Sequence, residues 1–138
     1  AGQNAKKLGN LINKNINIVN IEPDNINKVK KLFMKNTLFI APIFGPGGTR
    51  LKILAAMGSG MPVISTSTGI EGLEVTNNKN VVIANDPEEF IIKIKQLLAN
   101  NNMYERIRNN AYELVKEKYQ WSQTAKDLES VYKNLKKY

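Results

Sequence analysis

Short apolar runs alternate along this chain with longer segments in which apolar residues recur every three or four positions. Four runs have the length of strands, namely Asn17 to Ile21, Leu38 to Ala41, Met61 to Ser65 and Val81 to Ala84. The run at Leu38 is apolar throughout, which predicts a strand buried on both faces. Because helical segments separate these runs, the pattern predicts an α/β fold with a Rossmann-like parallel sheet and helices on both faces.

The segments between and after the strands predict amphipathic helices. A short helix is expected over Ala5 to Asn13, a second helix around Val29, Leu32 and Phe33, and a third over Leu51 to Met57, which Gly58 and Gly60 should end. The C-terminal third predicts three more helices. Their expected buried faces are Phe90, Ile91, Ile94, Leu97 and Leu98; then Met103, Ile107, Ala111, Leu114 and Val115; then Ala125, Leu128, Tyr132 and Leu135.

The start of the first C-terminal helix is specified locally by Asp86-Pro87-Glu88-Glu89. Asp86 is expected to be the N-cap, Pro87 suits the first helical position, and Glu89 is placed to complete a capping box. The aromatic residues Tyr104, Tyr112, Tyr119 and Trp121 are expected to pack on half-buried helix faces. We find no internal repeat or low-complexity linker, so residues 1–138 are interpreted as one domain.

A glycine-rich turn follows the strand at Leu38 and leads into a helix. Pro42 ends the strand, and Gly45, Pro46, Gly47 and Gly48 let the backbone approach a ligand closely. Thr49 is the expected N-cap, so the unpaired amides of the helix start would belong to Arg50, Leu51 and Lys52. Such a helix start favours negative charge, and the two cationic side chains add to it. The sequence therefore predicts a phosphate or diphosphate site here.

Simpler interpretations of these residues stand beside the functional one. The glycines could only form a tight turn between strand and helix. Arg50 could be an ordinary surface charge, but a cation in the first helical turn is electrostatically unfavourable unless an anion is present. Lys52 does not share a helix face with Arg50, so it is the weaker candidate for the same phosphate. After the next strand, residues 65–69 could be an ordinary loop, and Glu71 could only serve in a turn.

Composition excludes several classes of function. The chain has 42% hydrophobic and 23% charged residues, which is typical of a globular domain with one core. It contains neither cysteine nor histidine, so the chain offers no disulfide, no His or Cys metal site and no Ser-His or Cys-His catalysis. The absence of cysteine fits a cytoplasmic location. No Asp-x-Asp pair is present to chelate a metal-bound diphosphate, and no run of 18 apolar residues occurs.

The formal net charge of +8 could suggest nucleic-acid binding. The lysines are instead scattered along helices among asparagine and isoleucine, and no interleaving of arginine with aromatic residues marks a platform for stacking bases. We therefore expect a solvated basic surface and no nucleic-acid partner. Such a surface could be attracted to anionic lipid headgroups.

Ala41 to Leu73 resembles the donor-site core of a known enzyme family. The phrase GGTRLKIL, followed by SGMPVISTSTGIEGL, is similar to the C-terminal domain of retaining GT-B glycosyltransferases of family 4, also called glycosyl transferases group 1. The order of later elements, with Tyr119-Gln120-Trp121-Ser122 before a last helix, is similar as well. The resemblance covers nearly all 138 residues and implies transfer of a sugar from a nucleotide diphosphate donor, with retention at the anomeric carbon.

The resemblance assigns roles to individual residues. The diphosphate would contact Gly47, Gly48, Thr49, Arg50, Leu51 and Lys52. The sugar would lie near Gly45, Thr68 and Glu71, and the nucleobase near Asn20 and Ile21. The family resemblance implies neither a metal nor another cofactor, and it leaves uracil, guanine and adenine open as the base.

One departure from the family pattern concerns the ribose. The family usually carries a glutamate in a segment such as K-I-L-E-A-M and another eight residues earlier, whereas this chain has Ala55 and Gly47 at those positions. The carboxylate that would accept hydrogen bonds from the ribose is therefore missing. A degenerate enzyme, an engineered residue and a subfamily that holds the ribose differently all remain open.

The resembled enzymes have two domains of similar size, and this chain has the length of one. We interpret residues 1–138 as the donor-binding half, with the N-terminal acceptor domain and the first strand outside it, and expect no transfer by this half alone. Enzymes of this type often act on lipid-linked acceptors, which favours a peripheral position at the inner face of a membrane. The alternatives are a degenerate or stand-alone module that binds nucleotides or phosphosugars, and a scaffold without a ligand.

Overall fold

The structure, a computed structural model, describes residues 15–19, 21, 25–35, 37–45 and 50–120. The chain divides into two compact units, Ala1–Asn36 and Thr37–Tyr138. The helices predicted at Ala5 to Asn13 and at Ala125 to Leu135 lie outside the described residues, as does Trp121.

The first unit contains helix α1, Ile26–Lys35. Asn25 stands before it and accepts a hydrogen bond from the Lys28 amide through Oδ1 at 3.0 Å, which caps the helix start. The residues of the predicted stripe, Val29, Leu32 and Phe33, are partly buried while the rest of α1 is exposed, as the helical spacing requires.

The strand predicted at Asn17 to Ile21 is not present in the described residues of this segment. Ile16 forms a single bridge, and residues 17–19 have no regular structure. The physical reason is composition, because asparagine is depleted in strands and alternates here with the isoleucines that favour them.

The second unit is built on a parallel sheet. Its strands are β1, Phe39–Ala41; β2, Val63–Ser65; and β3, Val82–Ile83, in the order β1-β2-β3. Ile40 pairs with Ile64, which pairs with Val82, so β2 is central. All three residues of β2 are buried, whereas Ile40 is 46% exposed. The prediction that β1 is buried on both faces is therefore wrong, because Ile40 points to the face opposite Ala41 and that face of β1 is open to solvent.

Helix α2, Leu51–Gly58, connects β1 to β2 and packs against both strands. Its buried face is Ile53, Ala56 and Met57. Gly60, two residues after the end of α2, has φ +76°, and hydrogen bonds run from Gly60 N to Met57 O and from Met61 N to Ala56 O, both 3.0 Å. This is a Schellman ending, and it confirms that a glycine after the helix ends α2.

Helix α3, Pro87–Ala99, begins at Asp86, whose Oδ1 accepts a hydrogen bond from the Glu89 amide at 2.8 Å. Glu89 Oε2 accepts from the Asn85 amide at 2.6 Å, one residue earlier than a capping box requires. Phe90 and Leu97 are buried, but Ile91 and Leu98 are 54% and 55% exposed. The predicted apolar face of α3 is therefore too wide, because these two side chains lie about 80–100° around the helix from Phe90.

Helix α4, Asn101–Lys118, completes the unit and packs against both α2 and α3. Its N-cap is Asn100, whose Oδ1 accepts from the Met103 amide at 2.9 Å. A Cβ on Gly58 would lie 3.3 Å from Val115 Cγ1, so glycine allows α2 and α4 to approach closely. The main core cluster joins the sheet to α3 and α4 and consists of Ile64, Val82, Ala84, Phe90, Leu97 and Ile107.

No helix in the described part of the chain is both long enough and apolar enough to cross a membrane.

Candidate functional site

The carboxyl ends of β1 and β2 meet at one edge of the parallel sheet and are joined by side-chain hydrogen bonds. Ser65 Oγ donates to the Ala41 carbonyl at 3.0 Å, and the Thr66 hydroxyl donates to the Ile43 carbonyl. Both side chains are almost fully buried, with exposures of 0% and 2%. In open α/β sheets ligands bind beyond the carboxyl ends of the strands, so this edge is the expected place for a site.

The loop after β2, residues 66–72, is held against this edge. The Gly69 amide donates to Thr66 Oγ1 at 3.0 Å, and residues Thr68–Ile70 form one turn of 3₁₀-helix. The Ser67 amide donates to Asn85 Oδ1 at 2.9 Å, which ties the loop to the end of β3. A Cβ at position 69 would lie 2.2 Å from Ser65 Oγ, so the loop approaches the sheet at a distance that glycine permits.

Arg50 joins this loop to the start of α2. Its Nη2 atom donates a hydrogen bond to the Thr68 carbonyl at 2.8 Å. The guanidinium carries five N–H donors, so one carbonyl does not exhaust its capacity to bind an anion. The structure thus brings together two of the predicted site residues, Arg50 and Thr68, which are 18 positions apart in sequence.

The start of α2 differs from the prediction by one residue. Arg50 has ψ +40°, outside the helical range, and its carbonyl accepts from the Ile53 and Leu54 amides at 2.9 and 3.0 Å. Arg50 is therefore the N-cap where Thr49 was predicted, and the cation lies before the first helical turn. The unpaired amides expected by position are those of Leu51 and Lys52, both on the exposed side of the helix.

The other predicted site residues of this edge are open to solvent. Gly45, Ala55 and Glu71 are exposed, and a Cβ on Gly45 would meet no protein atom within 4 Å. Gly72, next to Glu71, has φ +81°, which favours glycine and shapes the turn that follows the loop. No three acidic side chains converge in the part of the chain that the structure describes.

Several predicted site residues lie outside this description. Gly47, Gly48 and Thr49 fall in the gap between residues 45 and 50, and Asn20 falls between residues 19 and 21. Ile21 belongs to the first unit, where it is partly buried without regular structure. Their assignments to the diphosphate and the nucleobase stay predictions.

Sequence reasoning missed the part that Asn85 plays at this edge. Its side chain accepts from Ser67, and its own amide donates to Glu89 at the start of α3. A signal was present in the sequence, since Asn85 directly follows a strand, and the carboxyl ends of parallel strands share an edge. The contact of Arg50 with a backbone carbonyl left no signal, because carbonyls are present at every residue.

The fold resembles a solved structure, the crystal structure of the C-terminal domain of a glycosyl transferase group 1 family protein (LpcC) from Francisella tularensis. The TM-score is 0.66 at 24% sequence identity, over 86% of this chain and 60% of that one. This similarity confirms the α/β fold.

Two curated relatives are similar in sequence. An uncharacterized 44.6 kDa protein in the cps region of Klebsiella pneumoniae is 33% identical over 104 residues, which is 75% of this chain and 26% of that protein. The uncharacterized glycosyltransferase MJ1607 of Methanocaldococcus jannaschii is 32% identical over 108 residues, 76% of this chain and 27% of that protein. This chain spans about a quarter of the length of these relatives.

The sequence of residues 1–100 matches the family described as Glycosyl transferases group 1. That match covers most of the chain, including the strand, turn and helix that carry Arg50 and the loop that carries Thr68. Because this match covers well over half of the sequence, the chain belongs to the glycosyl transferases group 1 family.

Proposed function

We propose that this chain is the nucleotide-sugar-binding domain of a retaining glycosyltransferase of GT-B architecture. Membership of the family supports glycosyl transfer, and the site geometry supports the part assigned to this domain. The observation that carries the proposal is the bridge from Arg50 to Thr68, because it places a guanidinium between the start of α2 and the loop at the carboxyl edge of the sheet. In a bound donor, the diphosphate would lie at the start of α2 and the sugar near the loop.

The chemistry of this half would be to bind the donor and stabilise the leaving diphosphate. Cleavage of the glycosyl bond increases the negative charge on the β-phosphate. The amides of Leu51 and Lys52 and the guanidinium of Arg50 would then interact more strongly with the transition state than with the bound donor. The amides of Gly47, Gly48 and Thr49 would add to the same cradle.

The remaining residues would surround the other parts of the donor. Thr68, Glu71 and Gly45 would lie near the sugar, and the exposed Glu71 carboxylate and the half-buried Thr68 hydroxyl could accept hydrogen bonds from sugar hydroxyls. Ala55 is one turn along α2 from Leu51, where a family glutamate would meet the ribose. No metal takes part in this proposal.

The acceptor and the groups that position it would belong to a second domain. A glycan or a lipid-linked sugar is the acceptor class that the family resemblance favours. The net charge of +8 would attract the enzyme to anionic headgroups at the cytoplasmic face of a membrane.

A second candidate function is a nucleotide- or phosphosugar-binding module that transfers nothing. Ala55 favours it, because the side chain at this exposed position cannot accept hydrogen bonds from a ribose. A module would bind nucleoside diphosphates as well as an enzyme domain does. A longer protein that contains the module would nevertheless not turn over a donor.

The test is a thermal-shift panel on the 138-residue chain with UDP, GDP, ADP, their sugar derivatives and the matching nucleosides. A ligand at about 100 times its Kd stabilises the folded state by about 2.7 kcal/mol. We expect one nucleoside diphosphate to raise the Tm while its nucleoside does not. If all of the diphosphates leave the Tm unchanged, the proposal is wrong. Donor turnover by the longer protein then separates the enzyme from the module.

A further inference from the structure

The hydrogen bond from Arg50 Nη2 to the Thr68 carbonyl connects two parts of the site that would contact different parts of a donor. Arg50 stands at the N-cap of α2, where the diphosphate is proposed to bind. Thr68 lies in the 66–72 loop, where the sugar is proposed to lie. The contact is partly buried, so solvent competes with it less than at a fully exposed position.

The loop is anchored firmly at its beginning and less so beyond. Thr66 is buried and bonded to the Ile43 carbonyl, and the Ser67 amide is bonded to Asn85. Further along, Glu71 and Gly72 are exposed, and the Glu71 amide is 3.4 Å from the Thr68 carbonyl that Arg50 also contacts. Arg50 therefore acts at the point where the anchored part of the loop passes into the exposed part.

We propose that Arg50 is a positioning residue that couples anion binding at the start of α2 to ordering of the 66–72 loop. This inference rests on the proposed function. One N–H group of the guanidinium stays on the Thr68 carbonyl, and others bind the diphosphate. A bound anion fixes the guanidinium by charge-assisted hydrogen bonds, and the fixed guanidinium holds Thr68 and Glu71 in place beside the sugar.

Lysine at position 50 separates the two parts of this role. An ammonium group keeps the positive charge and can bind a phosphate, but it lacks the planar fork with which arginine holds two partners in fixed directions. Arg50→Lys should therefore retain part of the affinity for a diphosphate and lose the ordering of the loop. Lys95→Ala is the matched control, since it removes a cation from an exposed position of α3 that belongs to neither the proposed site nor the loop.

The experiment measures amide hydrogen exchange in the 138-residue chain at Gly69 and Glu71, with the amide of Ile64 in β2 as the internal reference. Without ligand, Arg50→Lys and Arg50→Ala should speed exchange at the two loop amides about five- to tenfold, as expected for loss of one typical hydrogen bond. The loop amides of Lys95→Ala should show no such change, and neither should the Ile64 amide in any of the proteins. Equal exchange in all four proteins would overturn the coupling, whatever binds.

The second arm adds a saturating concentration of the nucleoside diphosphate that stabilises the wild-type chain most. We expect loop exchange to slow at least fivefold in the wild type and in Lys95→Ala, but not in Arg50→Lys at the same occupancy. Loop protection in Arg50→Lys equal to that of the wild type would overturn the coupling while leaving the proposed function intact. Absence of binding to the wild type would overturn both, and it would be seen before any exchange is measured.

Discussion

Gly69 lies so close to Ser65 that an alanine Cβ at position 69 would be 2.2 Å from the Ser65 hydroxyl oxygen. That hydroxyl is buried and donates to the Ala41 carbonyl, so moving it aside would break this hydrogen bond. The Thr66 hydroxyl oxygen would be 3.1 Å from the same Cβ. The packing of the loop on the strand ends therefore depends on the absence of a side chain at Gly69.

Gly69→Ala is expected to destabilise the fold by about 1–3 kcal/mol, the range for overpacking a well-packed site. Ser65→Ala removes the atom with the shortest contact, so the double variant should lose less than the sum of the two single losses. Urea denaturation of the wild type, the two single variants and the double variant gives the coupling free energy between positions 65 and 69. Additive losses would show that the Ser65 hydroxyl is not what excludes a side chain at position 69.

The N-cap of α3 gives a prediction with a conservative control. Asp86→Ala removes the acceptor of the Glu89 amide and should cost about 0.5–2 kcal/mol, whereas Asp86→Asn keeps an acceptor oxygen and should cost much less. Thermal and urea denaturation of the two variants measure the difference. Equal losses would indicate that the carboxylate acts through its charge near the helix start and not through the cap.

Tyr104 should make the stability of the fold depend on pH in the alkaline range. Its hydroxyl donates to the Thr37 carbonyl at 2.7 Å, and burial raises the pKa of Tyr104 above its ordinary value. Because the folded-state pKa is raised, the stabilisation is complete below the unfolded-state pKa of about 10 and is lost as pH rises through the higher folded-state value. Tyr104→Phe should cost about 0.5–1.5 kcal/mol at neutral pH.

Denaturation of both proteins at pH 7 and at pH values above 10 tests this. The difference in unfolding free energy between the wild type and Tyr104→Phe should shrink at the alkaline end. The wild type loses the stabilisation from the Tyr104 hydroxyl there, whereas phenylalanine has no proton to lose. The ion pair between Lys118 and Glu74 is present in both proteins, so its own alkaline titration cancels in the comparison. A difference that is constant with pH would mean that the Tyr104 hydroxyl does not titrate differently on folding.

The sequence predicted the parts of the fold that local chemistry specifies. Asp86 before Pro87 and Gly60 after α2 determine where helices begin and end, and both predictions are confirmed. The run Met61 to Ser65 predicted β2 because a central parallel strand needs apolar residues on both faces. The same logic failed at Ile40, because an apolar run does not reveal whether both faces of its strand are covered.

Parts of the site could not be predicted because they depend on tertiary contacts. The pattern of the glycine turn indicated an anion site, but it placed the N-cap at Thr49, since threonine is the better capping side chain. The structure has Arg50 there, with its guanidinium turned toward the Thr68 carbonyl. The exposed Ile91 and Leu98 were predicted to be buried for a similar reason, because helical spacing gives an apolar stripe without giving the width that its partners cover.

Ala55→Glu tests whether the missing carboxylate limits binding of the donor. Position 55 is exposed on α2, so glutamate should be tolerated, and we expect tighter binding of the preferred nucleoside diphosphate by about 1–3 kcal/mol through hydrogen bonds to the ribose. Glutamate at this position also lies three residues after Lys52 and could pair with it. Ala55→Gln is the control, because it keeps an acceptor oxygen without the charge. Calorimetry that gives the same Kd for all three proteins would mean that the ribose is held elsewhere.

Arg50→Ala distinguishes a role of Arg50 in ligand binding from a role in the stability of the fold. Removing the guanidinium deletes the hydrogen bond to the Thr68 carbonyl, which should cost about 0.5–1.5 kcal/mol of stability. It also removes a cation from the start of α2, which should restore about 0.3–1 kcal/mol. The net change in the free energy of unfolding is therefore expected to be small.

The effect of Arg50→Ala on a bound diphosphate should be larger, because no such compensation applies there. Loss of a charge-assisted hydrogen bond is expected to weaken the affinity by about 1.5–3 kcal/mol, roughly ten- to a hundredfold in Kd. The matching nucleoside should bind the variant and the wild type equally, since it carries no phosphate. Calorimetry with both ligands, beside urea denaturation of both proteins, makes the comparison. A variant that loses stability and keeps its diphosphate affinity would identify Arg50 as a purely structural link between α2 and the loop.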